Sequence, residues 1–255
     1  MRTVVFSASY DNQRDQLLEI IDHFDKVGKK VGRGKRNVVK KIPVDDITIN
    51  VKAFREPGIF HSMIYGYLRK SKARRSFEYA GVLLEKGLGT PAPIAFLESS
   101  GFFGLKKSFY ICRHIDEDLT FRELIEQPDY PDREEILRQF TRFTHKLHEA
   151  DILFMDHSPG NTLIIKDNDG AYVFYLVDLN RMRLGVKMGF EIRMKNFARL
   201  SATDDMVRII SSEYARITGL DKNEVYERMY YHTMANNRRR ARQKMINRCL
   251  GKYRQ

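Results

Sequence analysis

The chain has 255 residues and a mass of 30.0 kDa, enough to bury a sizeable core as one large domain or two small ones. Hydrophobic residues make up 42% and charged residues 31%, with 16 Gly and 7 Pro, which excludes disordered and collagen-like chains. Lys and Arg number 45 against 33 Asp and Glu, and the resulting +12 predicts attraction to phosphate-rich partners: nucleotide, nucleic acid or an anionic membrane surface.

In chain order, Gly28, Gly32 and Gly34 sit among Lys29, Lys30, Arg33, Lys35 and Arg36, which reads as a flexible basic loop. Residues 37–42 and 47–54 are β-branched runs joined by Pro43-Val44-Asp45-Asp46, a hairpin pattern. Ala73, Phe77, Ala80, Leu83 and Leu84 recur at helical spacing over 72–86, and Gly87 and Gly89 stop that helix before Pro91. Residues 93–97 and 108–115 read as further strands. From Asp132 to near Asp151, Ile136, Phe140, Phe143 and Leu147 lie at i, i+4, i+7 and i+11, one apolar stripe with charge on the other face. Residues 162–165 and 172–177 form a second hairpin around Asp169-Gly170. Beyond Gly189 the pattern is helical and ends in the basic run 238–244.

This order predicts an α+β fold with a small β-rich N-terminal part, 1–115, and a larger helical part, 116–255. Cys112 and Cys249 have neither disulfide-framework nor zinc spacing, which points to a reducing compartment. No signal-peptide pattern opens the sequence and no apolar run approaches the ~18 residues of a membrane span. The expected location is therefore cytoplasmic, with contact to a membrane from that side.

The stretch richest in chemistry is Phe154-Met155-Asp156-His157-Ser158-Pro159-Gly160-Asn161, between the amphipathic helix and a strand. An Asp and an Asn five residues apart on a tight loop can serve one reaction centre, the carboxylate orienting an attacking hydroxyl and the amide oxygen holding Mg²⁺. Asp178 follows 17 residues after Asn161, at the end of the next hairpin strand, and supplies a second carboxylate for a nucleotide-bound metal. Upstream, Lys52 lies late in a strand and Glu78 lies 26 residues later in a helix, an order that suits a phosphate-binding lysine held by a glutamate.

With these residues in this order, the chain resembles the protein-kinase-like superfamily and, within it, the bacterial lipopolysaccharide core kinases that include Kdo kinase and heptose kinases. The resemblance runs from about Gly28 to about Arg199. It implies a bilobal protein-kinase-like fold, ATP and Mg²⁺ as cofactors, and transfer of phosphate to a sugar hydroxyl of the lipopolysaccharide inner core. Asp156 would be the base or hydroxyl-orienting residue, Asn161 and Asp178 the metal ligands, Lys52 the α/β-phosphate ligand and Glu78 its partner. The loop with Gly32 and Gly34 would cover the triphosphate, and the backbone from Arg113 to Ile115 would meet adenine. The glycolipid acceptor would place the enzyme peripherally on the cytoplasmic face of the inner membrane.

Departures from the protein-kinase pattern narrow this expectation. Ser158 stands where Ser/Thr protein kinases place a lysine, no Ala-Pro-Glu follows Asp178, and Asn50 replaces the small apolar residue usual over adenine. A small-molecule or glycolipid acceptor fits better than a polypeptide. Arg181 and Arg183, just past Asp178, are placed to meet an acidic sugar. Taken alone, Asp156 also reads as an Asx-turn, Lys52 as a solvated strand lysine, and His145 with His148 as a helix surface or core pair. Two other functions compete: a different small-molecule or protein kinase of the superfamily, and a non-catalytic basic module on nucleic acid or membrane. The second leaves Asp156, Asn161 and Asp178 unexplained, and nucleic acid is not expected as a partner.

Overall fold

The computed structural model describes residues 1–31, 37–56, 69–102, 104–200 and 202–249. The chain forms two compact units, Met1–Asp116 with Asp178–Asn180, and Glu117–Val177 with Arg181–Gln255.

The first unit is built on an antiparallel sheet of six strands, β1 (Arg2–Phe6), β2 (Lys29–Val31), β3 (Asn37–Val44), β4 (Ile47–Phe54), β5 (Pro93–Gly101) and β6 (Gly104–Arg113), in the order β1-β5-β6-β4-β3-β2. Successive side chains of a strand point to opposite faces. Ile49, Val51, Leu97 and Ile111 therefore share one face, where they pack with Leu17 and Ile21 of helix α1 (Arg14–Asp22). The other face carries Phe54, Phe96, Tyr110 and Cys112, which pack with Ala73 and Phe77 of helix α2 (Lys72–Glu85). Phe77 meets Phe96 at 5.4 Å between ring centroids. By the same alternation Asn50 and Lys52 belong to the α2 face.

Local chemistry explains the boundaries. Ser71 caps α2 by accepting from the Arg74 amide at 3.0 Å, and Gly87, at φ 66°, ends it with the Leu88 amide bonded back to the Leu83 carbonyl. Leu84, expected on the apolar stripe, is instead exposed, because Ala73, Ser76, Ala80 and Leu83 define the buried face. The first hairpin turns at Asp45, φ 49°, so β3 runs through Pro43. A proline is tolerated there because β2 pairs with Val39–Lys41 and leaves that end of β3 without a second strand neighbour among the described residues. The expected flexible loop is partly strand: Lys29–Val31 pair with β3, and Gly28, at φ 73°, packs so closely that a Cβ would lie 2.5 Å from Ile42. Gly28 is thus a structural turn residue.

The second unit contains β7 (Leu119–Thr120), helix α3 (Phe121–Glu126), helix α4 (Arg133–Glu149), β8 (Ile152–Phe154), β9 (Thr162–Lys166), β10 (Tyr172–Leu176), β11 (Met182–Leu184), and helices α5 (Phe190–Phe197), α6 (Asp204–Thr218) and α7 (Lys222–Cys249). The hairpin β9–β10 extends to β7, while β8 pairs with β11. Ile136, Phe140 and Leu147 of the α4 stripe are buried; Ile136 and Phe140 join a core with Phe121, Phe174, Phe197, Val207 and Ile210, against which Phe143 packs. Each such side chain contributes about 1.5–3 kcal/mol by leaving water. A buried carboxylate ties α6 to α4: Glu213 meets Arg216 at 2.7 Å, Arg138 at 3.4 Å and Arg142 at 3.5 Å. These cations hold its carboxyl below the usual range, Arg216 by its hydrogen bond most of all. The last turns of α7, from Arg238, are exposed except at Asn247.

Candidate active site

In the first unit, Lys52 projects from β4 and places Nζ 2.7 Å from Asp178 Oδ1, joining residues 126 apart in sequence. The ammonium also lies 5.3 Å from the centre of the Phe54 ring, a cation–π contact on the α2 face. Asp178 has left-handed backbone, φ 61°, a conformation Asp tolerates better than most residues and one that recurs at functional positions. Asn180 donates a very short hydrogen bond to the same Oδ1. One carboxylate oxygen is thus held by an ammonium and an amide.

Glu78 does not take the expected place. Its carboxylate is gripped by Lys70 Nζ at 2.8 Å and by Arg74 Nε at 2.9 Å, and these cations hold its pKa below the ordinary value against the opposing effect of burial. Although β4 presents Lys52 toward the helix that carries Glu78, the Lys52–Glu78 pair is not formed. The i, i+4 spacing from Arg74 gives Glu78 a nearer cation on its own helix, while Asp178 satisfies Lys52.

Of the expected adenine contacts, the Arg113 amide is committed to the Ala92 carbonyl at 2.9 Å and the neighbouring His114 amide to Thr48 at 2.8 Å. These two N–H groups belong to the sheet and are not available to a base. Gly32 and Gly34 lie outside the described residues. Asn50, on the Lys52 face, keeps Oδ1 buried with no hydrogen-bond partner among the described residues.

In the second unit, the loop after β8 is folded by its own backbone. The Ser158 amide donates to the Asp156 carbonyl at 2.7 Å, and the Asn161 amide donates to the Ser158 carbonyl at 2.9 Å. Asn161 closes the turn, because its Nδ2 donates to the Asp156 carbonyl at 2.8 Å and its own carbonyl accepts from the Val177 amide at 3.0 Å. Asn161 Oδ1 is thereby left as an acceptor. The Asp156 carboxylate is flanked by two guanidinium groups, Arg199 at 3.5 Å and Arg181 at 4.0 Å. At Gly160 the backbone runs so close to Arg122 that a Cβ would sit 2.8 Å from Nη2. Arg183, in β11, is exposed and opposite Leu153 in the strand register.

Buried groups anchor this loop from beneath. His157 is fully buried, its ring 5.4 Å from Phe140 and 5.5 Å from Phe154, and burial pulls its pKa down to about 4. Burial likewise lowers His148 to about 3, so both imidazoles are neutral. Asn196 Nδ2 donates to the Phe154 carbonyl at 2.9 Å, which makes its Oδ1 the acceptor facing His148 Nε2 at 3.2 Å. His148 therefore carries its proton on Nε2, and Nδ1 accepts from the Tyr214 hydroxyl at 3.1 Å. The relay Tyr214–His148–Asn196 ends on the residue two before Asp156. Neither this relay nor Arg199 was legible from spacing, since their partners come from α4, α5, α6 and the turn after α5. The other half of the expected histidine pair, His145, packs on Tyr214 at 5.5 Å.

Among the described residues, no group of three or more His, Cys, Asp or Glu is arranged to hold a metal. Asp178 in the first unit and Asn161 in the second each present a hard oxygen of the kind Mg²⁺ takes. A cavity of about 580 Å³ opens in the first unit over Phe24, Val38, Ala53 and Phe109, but it contains none of the candidate residues.

Residues 50–227 match the model of the Lipopolysaccharide kinase (Kdo/WaaP) family, a stretch that includes Lys52, Glu78, Asp156, Asn161 and Asp178. No curated protein matches the chain by sequence. Among solved structures, that of WaaP in complex with acyl carrier protein is similar, with a TM-score of 0.63 and 16% identity over 94% of this chain and 98% of that one. At that identity the likeness concerns the fold, which is protein-kinase-like in both.

Proposed function

The chain belongs to the lipopolysaccharide kinase (Kdo/WaaP) family and is a kinase, and from that premise we propose that it transfers the γ-phosphate of ATP to a hydroxyl of Kdo or heptose in the lipopolysaccharide inner core. The observation that carries this reading is the 2.7 Å contact between Lys52 and Asp178 inside the family-matched stretch. A phosphate-binding cation held by a metal-binding carboxylate is what phosphoryl transfer asks of a protein, since positioning and charge neutralisation supply most of the catalysis.

Asp156 orients the acceptor hydroxyl and receives its proton. Asp178 and Asn161 Oδ1 are the side chains that would hold Mg²⁺, which when bound supplies neutralisation of the triphosphate charge. Lys52 supplies a further cation for the phosphates. The buried Asn50 Oδ1, without a hydrogen-bond partner among the described residues, offers an acceptor to an amine such as that of adenine, and the Ile115 backbone is proposed to meet the rest of the base. Glu78, committed to Lys70 and Arg74, is left out of the nucleotide site.

No helix among the described residues is long and apolar enough to cross a membrane. We place the enzyme peripherally on the cytoplasmic face of the inner membrane, where exposed Arg238, Arg239, Arg242 and Lys244 of α7 would meet anionic headgroups. Salt-sensitive sedimentation with anionic, and not neutral, vesicles is the expected result.

The test of function is an acceptor panel with labelled ATP: Kdo-lipid A, heptosylated core, an aminoglycoside and a generic protein. Label in a glycolipid, lost in Asp156→Ala with the fold intact, is the expected outcome. Label in protein alone would assign the chain a different acceptor, and undiminished turnover by Asp156→Ala would remove that residue from the mechanism.

A further inference from the structure

Arginines that brace the fold have a carboxylate within hydrogen-bond length: Arg133 meets Asp205 at 2.6 Å, Arg216 meets Glu213 at 2.7 Å, Arg208 meets Asp204 at 2.9 Å, and Arg138 and Arg142, which stand 3.4 and 3.5 Å from Glu213, also meet Glu134 at 2.5 Å and Glu135 at 2.9 Å. Arg199 and Arg181 behave otherwise. They flank opposite oxygens of Asp156, Oδ1 and Oδ2, at 3.5 Å and 4.0 Å, beyond the length of a charge-assisted hydrogen bond. Their side chains are 42% and 62% exposed, whereas Asp156 is 26% exposed. Two guanidinium groups thus border the reacting carboxylate loosely, with planar N–H donors left for another anion. Arg122, exposed over Gly160 at the far end of the same loop, adds a third cation.

A neutral alcohol would have no use for this arrangement, since Asp156 alone can orient a hydroxyl. An acidic acceptor does, because an anion brought beside a carboxylate is repelled unless cations lie between or around them. We propose that Arg181 and Arg199 form the anion-recognition part of the acceptor site, so that the preferred acceptor is an acidic sugar whose carboxylate or phosphate lies next to the hydroxyl that is phosphorylated. The inference rests on the assignment of Asp156 made above. When the acidic group docks, the guanidinium groups turn their free donors to it and Asp156 accepts the neighbouring hydroxyl. The hydroxyl oxygen forms its bond to the γ-phosphorus, the bond from that phosphorus to the bridging oxygen breaks with its electron pair left on ADP, and the hydroxyl proton passes to Asp156. Within the inner core this favours a sugar acid such as Kdo over an unphosphorylated heptose.

The experiment compares Kdo-lipid A with its carboxyl methyl ester as acceptors for the wild-type chain and for Arg199→Gln, Arg181→Gln, the double variant and Arg199→Lys. Wild type is expected to prefer the acid by about tenfold or more in kcat/KM, the value of a lost charge-assisted hydrogen bond. In the double variant the preference falls to near unity through a raised KM for the acid, with KM for ATP within about twofold of wild type. Arg199→Lys retains part of the preference. Arg181, the more exposed of the two, carries the test should Arg199→Gln not fold. Equal use of acid and ester by wild type, or an unchanged preference in the double variant, overturns the inference while leaving the kinase reading standing. A raised KM for ATP with acid and ester losing activity alike also overturns it, by assigning the arginines to the triphosphate. Failure of wild type to label Kdo-lipid A at all overturns this inference, and the proposed function then stands or falls with the heptosylated core of the acceptor panel.

Discussion

Lys52 and Asp156 are both charged candidates for catalysis, yet the units that carry them treat their charge differently. Lys52 is locked: its ammonium has one carboxylate at 2.7 Å, an aromatic ring beneath it, and that carboxylate is itself pinned by Asn180. Asp156 is only bordered, by guanidinium groups at 3.5 and 4.0 Å, while the backbone on which it stands is fixed by Asn161 and by buried groups below. The difference separates two needs of phosphoryl transfer. On the proposed roles, the group that meets the triphosphate is held by its charge, and the group that exchanges partners during turnover is held by its backbone and leaves its charge accessible.

Breaking either member of this comparison gives the largest effects. Asp156→Asn and Asp178→Asn are each expected to lower kcat by about 10²–10⁴-fold, measured as initial phosphate transfer. Asn is the residue closest to Asp in tolerating left-handed backbone, so Asp178→Asn keeps a melting temperature near wild type while losing activity. On the proposed reading, chelation of divalent metal is expected to abolish transfer and Mg²⁺ added back to restore it. A turnover unaffected by chelation would contradict the assignment of Asp178 and Asn161.

The parts of this comparison that were legible from sequence are those written in consecutive residues. The Asp156–Asn161 loop, the two hairpins, α2 and α4 follow from turn chemistry and apolar period, because those signals are local. Lys52 and Asp178 were legible as individuals but not as partners; the sequence order suggested Glu78 for Lys52, and the contact across 126 residues went elsewhere. β1 and α1 carry short, mixed patterns that no local rule picks out, and α3 depends on a capping box at Thr120 and Glu123 within a six-residue helix. The supports of the loop, His148, Asn196 and Tyr214, come from three helices, and Arg199 from the turn after one of them. Their convergence is tertiary and leaves no spacing to read.

The relay beneath Asp156 should yield intermediate effects. Asn196→Ala removes the donor to the Phe154 carbonyl and the acceptor for His148, leaving two buried groups unpaired at about 1–3 kcal/mol each. Chemical denaturation should show that loss, and kcat should fall more than KM for either substrate changes, because the carboxylate is displaced after binding. Acid should weaken the same region. His157 and His148 have folded pKa values of about 4 and about 3, below the ordinary 6.5, so the unfolded chain takes up protons first as pH falls. Their contribution is complete above pH 6.5 and declines as pH falls, through the window from 6.5 to about 4 for His157 and to about 3 for His148, favouring unfolding by an amount on the order of several kcal/mol at the lower end. His157→Phe replaces the ring without the titration and should make the stability profile shallower between pH 7.5 and 5, leaving the share of His148, in a range where unmodified carboxylates contribute little. A profile as steep as wild type would show that His157 does not carry the acid sensitivity.

Glu78 gives the smallest expected effect and sharpens the comparison most directly. Its two cations, Lys70 and Arg74, are themselves about half exposed, and ion pairs in such surroundings are worth about 0–1 kcal/mol. Glu78→Gln keeps the shape and can still accept one hydrogen bond from Arg74, so stability should change by less than about 0.5 kcal/mol. If Lys52 is held by Asp178 during turnover as it is in this structure, kcat and KM for ATP in Glu78→Gln remain within about twofold of wild type. If Lys52 instead exchanges Asp178 for Glu78 when nucleotide binds, the same variant loses tenfold or more, and Lys70→Gln with Arg74→Gln, which release Glu78, should then raise activity. The pair of variants decides whether the lysine is locked by one carboxylate or shared between two, because only sharing makes the Glu78 and the Lys70/Arg74 substitutions act in opposite directions.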